Sequence, residues 1–357
     1  MSLEIQENVA LAEFTTLKIG GKARFFVSAR NENEIVEALD FAEKNDLETF
    51  ILGGGSNVLI ADEGFNGLVL QIALRGVSII AEKDGMVFVT VAAGEDWDRF
   101  VAFCVENKLA GIECLSGIPG FVGGTPVQNV GAYGQEVSET IVSVRCINRK
   151  TRKYSEFSHA ECKFAYRFSI FNTTEKNLYV VLSVTFALKL HGEPKIVYKD
   201  LQNYFGDKKP SLQETRAAVL EIRAAKSMVI DINDANSKSV GSFFKNPIVN
   251  CEEFAQIEQA AKKINLENVP FYKASEQTVK IPAAWLIEKS GFEKGFRLGN
   301  AGLSTKHTLA IVNLGNAKAR DVLNLKEEIQ LKVKEKFEIV LKPEPVFVGF
   351  ENSSKHD

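Results

Sequence analysis

Apolar positions along the first hundred residues switch between a helical and a strand period. In NENEIVEALDFAEKND, Ile35, Leu39 and Ala42 fall on one face, which predicts an amphipathic helix. TFILGGGSNVLI then reads as a strand, a glycine turn and a second strand. GLVLQIAL, VSIIAE and MVFVTVAAG, between residues 67 and 94, are short β-rich runs. The next helix carries Trp97, Val101, Cys104 and Val105 on one stripe.

The alternation breaks at residues 111–134, GIECLSGIPGFVGGTPVQNVGAYG, where seven glycines and two prolines exclude a helix or strand interior. A linker would be polar, yet this stretch holds Ile112, Leu115, Ile118, Phe121, Val122, Val127, Val130 and Tyr133. It is expected to be an ordered loop packed against the core, with a long backbone edge suited to a ligand.

Strands resume at ETIVSVRCIN and LYVVLSVTFALKL. Between them ECKFAYRFSIF surrounds Arg167 with Phe164, Tyr166, Phe168 and Phe171 and predicts its burial. Ser211 and Glu214 form a capping box for a helix ending near Lys226. DINDANSKS is polar and reads as a loop or hinge. FAQIEQAAKKI and PAAWLIEKSG are helical, with Pro282 expected at a first position and Gly291 at a C-cap. A last helix, roughly 317–336, leads to EIVLKPEPVFVGF.

Composition narrows the function classes. A chain of 357 residues, 45% hydrophobic, buries large cores, and its length suits two or three domains. Its 43 basic and 46 acidic residues leave a net charge of -3, so no general basic field is available to hold a nucleic-acid backbone. Nucleic acid is not expected as a partner. The start, MSLEIQENVALAEF, carries acids where a signal peptide needs a basic region, so a cytoplasmic protein is expected. No run approaches the roughly 18 apolar residues of a membrane-spanning helix, and no membrane association is expected. Five scattered cysteines at no metal-ligand spacing read as reduced structural thiols, and no metal is expected.

GGGSNV fails the dinucleotide fingerprint G-x-G-x-x-G, because Val58 stands where the last glycine belongs, and no G-x-x-x-x-G-K-[ST] occurs. Two glycine turns, at 53–55 and 117–124, are compatible with simple tight turns or with backbone nests for a dinucleotide. Ser242, in VGSFFKNP, lacks a nucleophile elbow, and none of the four histidines carries a triad signature. It is either a turn serine or a proton donor to a carbanion. Arg167, if desolvated, needs an anion or a structural acid. Glu344, between two prolines in KPEPVF, is either directed into a site or a solvated strand end.

Taken together, FTTLKIGGKARFF, ILGGGSNVLI, GIECLSGIPGFVGGTPVQNVGAYGQE, CKFAYRFSIF, VGSFFKNP and LKPEPVFVG, in this order over nearly the whole chain, resemble the UDP-N-acetylenolpyruvoylglucosamine reductase family, known as MurB, in its longer type. The resemblance implies an α+β protein: a two-subdomain FAD-binding fold of the vanillyl-alcohol-oxidase type, followed by a C-terminal α+β substrate-binding domain. The implied boundaries are 1–72 (with 346–357 returning to it), 73–228 and 229–345. It also implies a cytoplasmic enzyme of peptidoglycan precursor synthesis, in which NADPH reduces non-covalent FAD. Hydride then passes from flavin N5 to the methylene of UDP-N-acetylglucosamine enolpyruvate, and protonation gives UDP-N-acetylmuramate.

Carried over by motif, the proton donor falls on Ser242, and the partners of the enolpyruvyl carboxylate fall on Arg167 and Glu344. The resemblance implies FAD contacts at Gly53, Gly54, Gly55, Ser56 and Asn57, at Ser116, Gly117, Pro119, Gly120, Gly123, Gly124, Gln128, Asn129, Gly131 and Tyr133, and at Arg223. It assigns the UDP-sugar to Tyr166, Tyr198, Lys226 and Asn246, with Lys245 ranked lower. Tyr272 matches a loop tyrosine that closes over the substrate, and Lys280 a lysine that reaches its phosphates. His307 stands where other members carry glutamine. The SMVID that follows Lys226 departs from the family's prolines. The rival readings are a flavin oxidase or dehydrogenase of the same superfamily acting on another alcohol or sugar, which leaves Arg167, Ser242 and Glu344 without a common purpose, and a flavin- or nucleotide-binding regulatory module without turnover, in which those three positions could be lost without penalty.

Overall fold

The predicted helices form along their apolar stripes, in a computed structural model that describes residues 3–350. Of the expected C-terminal return over 346–357, residues 351–357 lie outside the described residues. Cα packing divides the chain into two compact units. One comprises the chain up to Val9, Ala23–Gly55 and Asn66–Val229; the other comprises Ala10–Lys22, Ser56–Phe65 and the chain from Ile230 onward.

In chain order the first elements are β1 (Gln6–Ala10), β2 (Lys22–Ala29), α1 (Glu32–Lys44), β3 (Thr49–Leu52), β4 (Val58–Ile60) and β5 (Phe65–Ile72). Asn31 caps α1 by accepting from the Glu34 N–H, and Ile35, Leu39 and Ala42 are buried as their spacing requires. β1, β2, β5 and β3 form a four-stranded sheet in that order, with β3 parallel to β5. β4 belongs to the second unit. The strands on either side of the GGG turn therefore separate: β3 pairs with β5, and β4 with a strand almost 300 residues away in sequence.

β6 (Val77–Lys83), β7 (Met86–Ala92), α2 (Trp97–Glu106), β8 (Leu109–Ala110), β9 (Gly131–Ala132), β10 (Gln135–Glu136), β11 (Ile141–Asn148), β12 (Tyr154–Ser158), α3 (His159–Cys162) and β13 (Tyr179–Leu190) follow. A six-stranded antiparallel sheet runs β12, β11, β13, β7, β6, with β8 also on β13. On β13, Val180, Leu182, Val184, Phe186 and Leu188 are all buried, while alternate residues lie nearer the surface. Trp97, Phe100 and Phe186 pack ring to ring behind this sheet, joining α2 to it. α4 (Lys199–Phe205) and α5 (Leu212–Ala225) complete the unit, and the Ser211–Glu214 capping box is present.

The second unit adds β14 (Ile248–Asn250), α6 (Cys251–Lys263), β15 (Tyr272–Lys273), β16 (Thr278–Lys280), α7 (Ala283–Lys289), β17 (Arg297–Leu298), β18 (Ala301–Leu303), β19 (Ile311–Asn313), α8 (Ala319–Phe337) and β20 (Val346–Val348). Two three-stranded sheets, β14-β16-β15 and β17-β18-β19, lie in this unit, and β20 runs parallel to β4. Leu286, Ile287, Val322, Leu325, Ile329 and Val333 are fully buried in a core shared by α7 and α8. Pro282 is the cap residue of α7, one position earlier than expected, because Asn246 Oδ1 accepts from the Ala283 N–H (2.8 Å) and ends the helix there.

Four of the five cysteines are buried and all are free thiols, as composition suggested. Burial pushes the Cys162 thiol up to about 12 and keeps it protonated. No helix among the described residues is long and apolar enough to cross a membrane.

Candidate active site

A buried carboxylate fixes the glycine stretch of the first unit. Glu113, 1% exposed, accepts from the Gly111 N–H (2.8 Å), Gln135 Nε2 (2.8 Å) and the Lys195 N–H (2.9 Å). Gln135 Oε1 in turn accepts from the Cys114 N–H (2.8 Å). Apolar anchoring comes from Ile112, Leu115 and Val122, all fully buried, and Trp97 Nε1 donates to the Leu115 carbonyl at 3.0 Å. Glu113→Ala would leave three donors without an acceptor, and is expected to destabilise the protein by about 3 kcal/mol or more. Urea unfolding followed by tryptophan fluorescence measures the loss.

The two glycine turns lie against each other. A Cβ on Gly54 would stand 2.7 Å from Gly120 Cα and 3.1 Å from Phe121 N, so only glycine permits the approach. Gly123 is pressed onto Ala93 in the same way, at 2.6 Å. Gly53 and Gly124 have open space where a side chain would stand. The result is a bare backbone surface, on which the Gly123 N–H is given to the Ala93 carbonyl (2.8 Å) and the Gly124 N–H to the Phe121 carbonyl (3.0 Å). Gly117, with φ +70, gives its N–H to Asp98 Oδ1 at 2.5 Å, and Asp98 also receives a two-pronged bond from Arg216 at 2.6 and 2.8 Å. Burial opposes ionisation of Asp98, but Arg216 and the Gly117 N–H outweigh it and hold the carboxyl below its usual range. Its stabilising contribution is therefore complete above the ordinary value of 3.8 and lost as pH falls through the lower folded value. Acid release of a bound flavin, followed by its fluorescence, is expected to begin at higher pH in Asp98→Asn than in the wild type.

Ser116 and Asn129 are fully buried, and their side chains are committed to the loop itself. Ser116 Oγ donates to the Glu113 carbonyl at 2.6 Å. Asn129 donates to Glu136 (2.7 Å) and the Ala165 carbonyl (3.0 Å) and accepts from the Ser138 N–H (3.1 Å). Pro119 and Gln128 are half-buried on the same loop.

Tyr133 sits on the two-residue turn of the β9–β10 hairpin, where φ +48 at Tyr133 and +81 at Gly134 match a type I′ turn. It meets Tyr198 edge to face at 5.5 Å, and Lys226 Nζ lies 5.9 Å from its ring centroid. Burial pushes its hydroxyl up to about 12. Lys226 is paired with Asp200 at 2.6 Å. Tyr198 caps α4 and Asp200 lies in its first turn, so the start of α4 brings both to the end of α5. No sequence signal singled out Asp200, because an acid in a first helical turn is ordinary.

Arg223 is 9% exposed; its Nη2 donates to the Met228 carbonyl at 2.6 Å, while its Nε is buried without a partner. The SMVID departure thus shapes a turn that wraps this guanidinium, with Ser227 at φ +55.

Arg167 is half-buried rather than buried, because its neighbour Phe168 turns outward and is 39% exposed. Ala165 and Phe168 exchange two 3.0 Å backbone bonds around a tight turn, with Arg167 in the left-handed region at φ +54. A non-glycine residue there carries strain, a pattern concentrated at functional sites. Its Nη2 donates to the Gly131 carbonyl at 3.1 Å, and the guanidinium lies over the ring of half-buried Tyr166 at 5.2 Å. The arginine is thereby joined to the glycine loop.

In the second unit, VGSFFKNP is stitched to KPEPVF. The Glu344 N–H donates to the Phe243 carbonyl at 2.9 Å, the Lys245 N–H to the Lys342 carbonyl at 2.9 Å, and Phe244 bridges Pro343. Phe243 and Phe244 are buried, and Ser242 between them and Gly241 (φ +73) is half-buried. Ser242 and Glu344 therefore stand on adjacent bonded segments, although a hundred residues separate them. Asn57 Nδ2 donates to the Glu344 carbonyl at 3.3 Å, and its own carbonyl accepts from the Val346 N–H at 3.0 Å. The GGGSN run is thus divided, with Gly55 closing one unit and Ser56 and Asn57 opening the other. Asn246, four residues after Ser242, caps α7, and the His307 loop supplies the Leu309 carbonyl that accepts from the Phe243 N–H at 2.8 Å. Tyr272 and Lys280 are directly opposed on β15 and β16. Lys280→Ala is expected to raise the KM for an anionic nucleotide substrate about 10- to 100-fold, the loss of one charged hydrogen bond, with kcat little changed. Steady-state kinetics over substrate concentration checks this.

Residues 233–348 match the family model described as UDP-N-acetylenolpyruvoylglucosamine reductase, C-terminal domain, and residues 23–152 match that of an FAD binding domain. A UDP-N-acetylenolpyruvoylglucosamine reductase from Thermobifida fusca is 43% identical over 98% of this chain and 99% of its own length. The protein of that name from Flavobacterium johnsoniae is 39% identical, over 96% of this chain and 99% of its own length. The crystal structure of the reductase from Thermus caldophilus superposes with a TM-score of 0.64 at 25% identity, covering 98% of this chain and 99% of that one.

Proposed function

This chain belongs to the UDP-N-acetylenolpyruvoylglucosamine reductase family of FAD-dependent oxidoreductases, and we propose that it reduces UDP-N-acetylglucosamine enolpyruvate to UDP-N-acetylmuramate with NADPH as electron source. Cytoplasmic peptidoglycan precursor synthesis and the three-domain division at 72/73, 228/229 and 345/346 are part of the same reading. The bonded pairing of the Ser242 and Glu344 segments carries it, since a serine with no base but a fixed acidic neighbour suits proton donation.

FAD, when bound, supplies the hydride that NADPH delivers to it and that the enolpyruvyl double bond receives. The bare backbone of Gly53, Gly54 and Gly120 suits its diphosphate, and the partnerless Nε of Arg223 offers a buried donor to the same cofactor. Tyr198, Lys226, Tyr272, Lys280 and Asn246 bind the UDP-sugar, with Tyr166 and His307 at its margins.

Hydride addition at the methylene leaves an electron pair on the adjacent carbon, delocalised into the carboxylate. Arg167 stabilises that charge more than it stabilises the substrate, which is the condition for lowering the barrier. Ser242 Oγ gives its proton to the adjacent carbon. Glu344 orients that hydroxyl or restores its proton. Arg167 belongs to one unit, and Ser242 and Glu344 to the other; their meeting at one carboxylate is part of the proposal.

Anaerobic NADPH should bleach the purified yellow protein, and UDP-N-acetylglucosamine enolpyruvate should restore the colour with formation of the lactyl ether. Failure of this substrate to reoxidise the flavin would overturn the proposal.

A further inference from the structure

Arg75 is an exposed cation that the reaction above does not use. It follows β5, and β3 and β5 are parallel, so the chain leaves both strands at the same edge of the sheet, towards Gly53 from one and towards Arg75 from the other. Ligands of parallel sheets collect at such edges. The backbone just before Arg75 is fixed, because a Cβ on Gly94 would stand 2.5 Å from Leu74 N. Its guanidinium lies 5.4 Å from the ring centroid of Phe121, a residue whose own backbone N abuts Gly54. Arg75 has one carboxylate partner, Glu95, at a long 3.4 Å, and that carboxylate already accepts from the Gly76 N–H at 2.7 Å. The Arg75 side chain is 55% exposed, and most of its donors have no acceptor among the described residues.

We infer that Arg75, seated on Phe121, binds the adenosine diphosphate half of FAD. An aromatic seat pre-orients the planar fork, and a fork of that kind matches phosphate oxygens two at a time. Backbone amides alone recognise a diphosphate without adding a full charge; Arg75 adds one beside them. This inference rests on the assignment of FAD to the glycine turns.

The test uses full-length protein from which flavin has been removed, titrated with FAD and with riboflavin, which lacks the phosphates. Arg75→Ala is expected to weaken FAD about tenfold, as the loss of a charge-assisted contact does, and to leave riboflavin unchanged. Phe121→Leu is expected to weaken FAD about threefold, since it removes the seat and keeps the charge. ADP should compete with FAD less well in Arg75→Ala than in the wild type. Equal FAD affinity in Arg75→Ala and wild type would overturn the inference, as would an equal loss of riboflavin, which would mark a structural effect. A rise in the KM for NADPH with FAD binding unchanged would assign the cation to the other dinucleotide and overturn it too. Wild-type protein that takes up no FAD would instead overturn the cofactor assignment, and this inference with it.

Discussion

In Ser242→Ala, anaerobic NADPH is expected to bleach the flavin at the wild-type rate, while reoxidation by the enolpyruvyl substrate slows by about a hundred- to ten-thousandfold, the usual worth of a positioned proton donor. The separation of the two half-reactions is informative. The serine is assigned to protonation of the substrate carbon and to nothing in flavin reduction. The fold tolerates the change, because Phe243 and Phe244 hold the segment through backbone bonds and burial, and alanine keeps both. Stopped-flow absorbance of each half-reaction measures it. Reoxidation and product formation at wild-type rates would remove Ser242 from the chemistry.

Arg167→Gly is expected to lower kcat by about a hundred- to a thousandfold, as loss of a charged donor to a developing anion does. Stability should change far less than turnover. Glycine relieves the left-handed backbone at φ +54, worth about 1 kcal/mol, against the loss of the bond to Gly131 and the contact with Tyr166. A melting temperature equal to or above the wild type's, together with lost turnover, would identify strain retained for function. Arg167→Lys keeps the charge and loses the fork, so it should recover only part of the rate. Wild-type turnover in Arg167→Gly would contradict the assignment.

Local rules were legible because they depend on neighbours in the chain. Ser211 before Glu214 caps its helix as read, Ile35, Leu39 and Ala42 share a buried face, and the apolar run at 179–190 became a strand. The glycine content of 111–134 correctly signalled an irregular, packed loop. What the loop packs around was not legible: Glu113 and Gln135 are ordinary surface residue types, and only their shared burial converts them into a polar knot. The aromatic run around Arg167 suggested full burial, yet a tight turn sends Phe168 outward and leaves the arginine half-buried, since hydrophobic neighbours in sequence need not be neighbours in space.

The sequence by itself determined the elements, the two glycine turns, the motifs that carry the family, and the serine without a base. Those follow from periodicity, φ preference and side-chain chemistry, which are properties of short stretches. Only the tertiary structure decided that Gly54 rests on Gly120, that GGGSN is divided between two units, that Asp200 holds Lys226, and that Glu344 is bonded next to Ser242. Each depends on closing a long loop, where the gain comes from contacts between residues tens to hundreds of positions apart, and no local preference encodes which partners will meet.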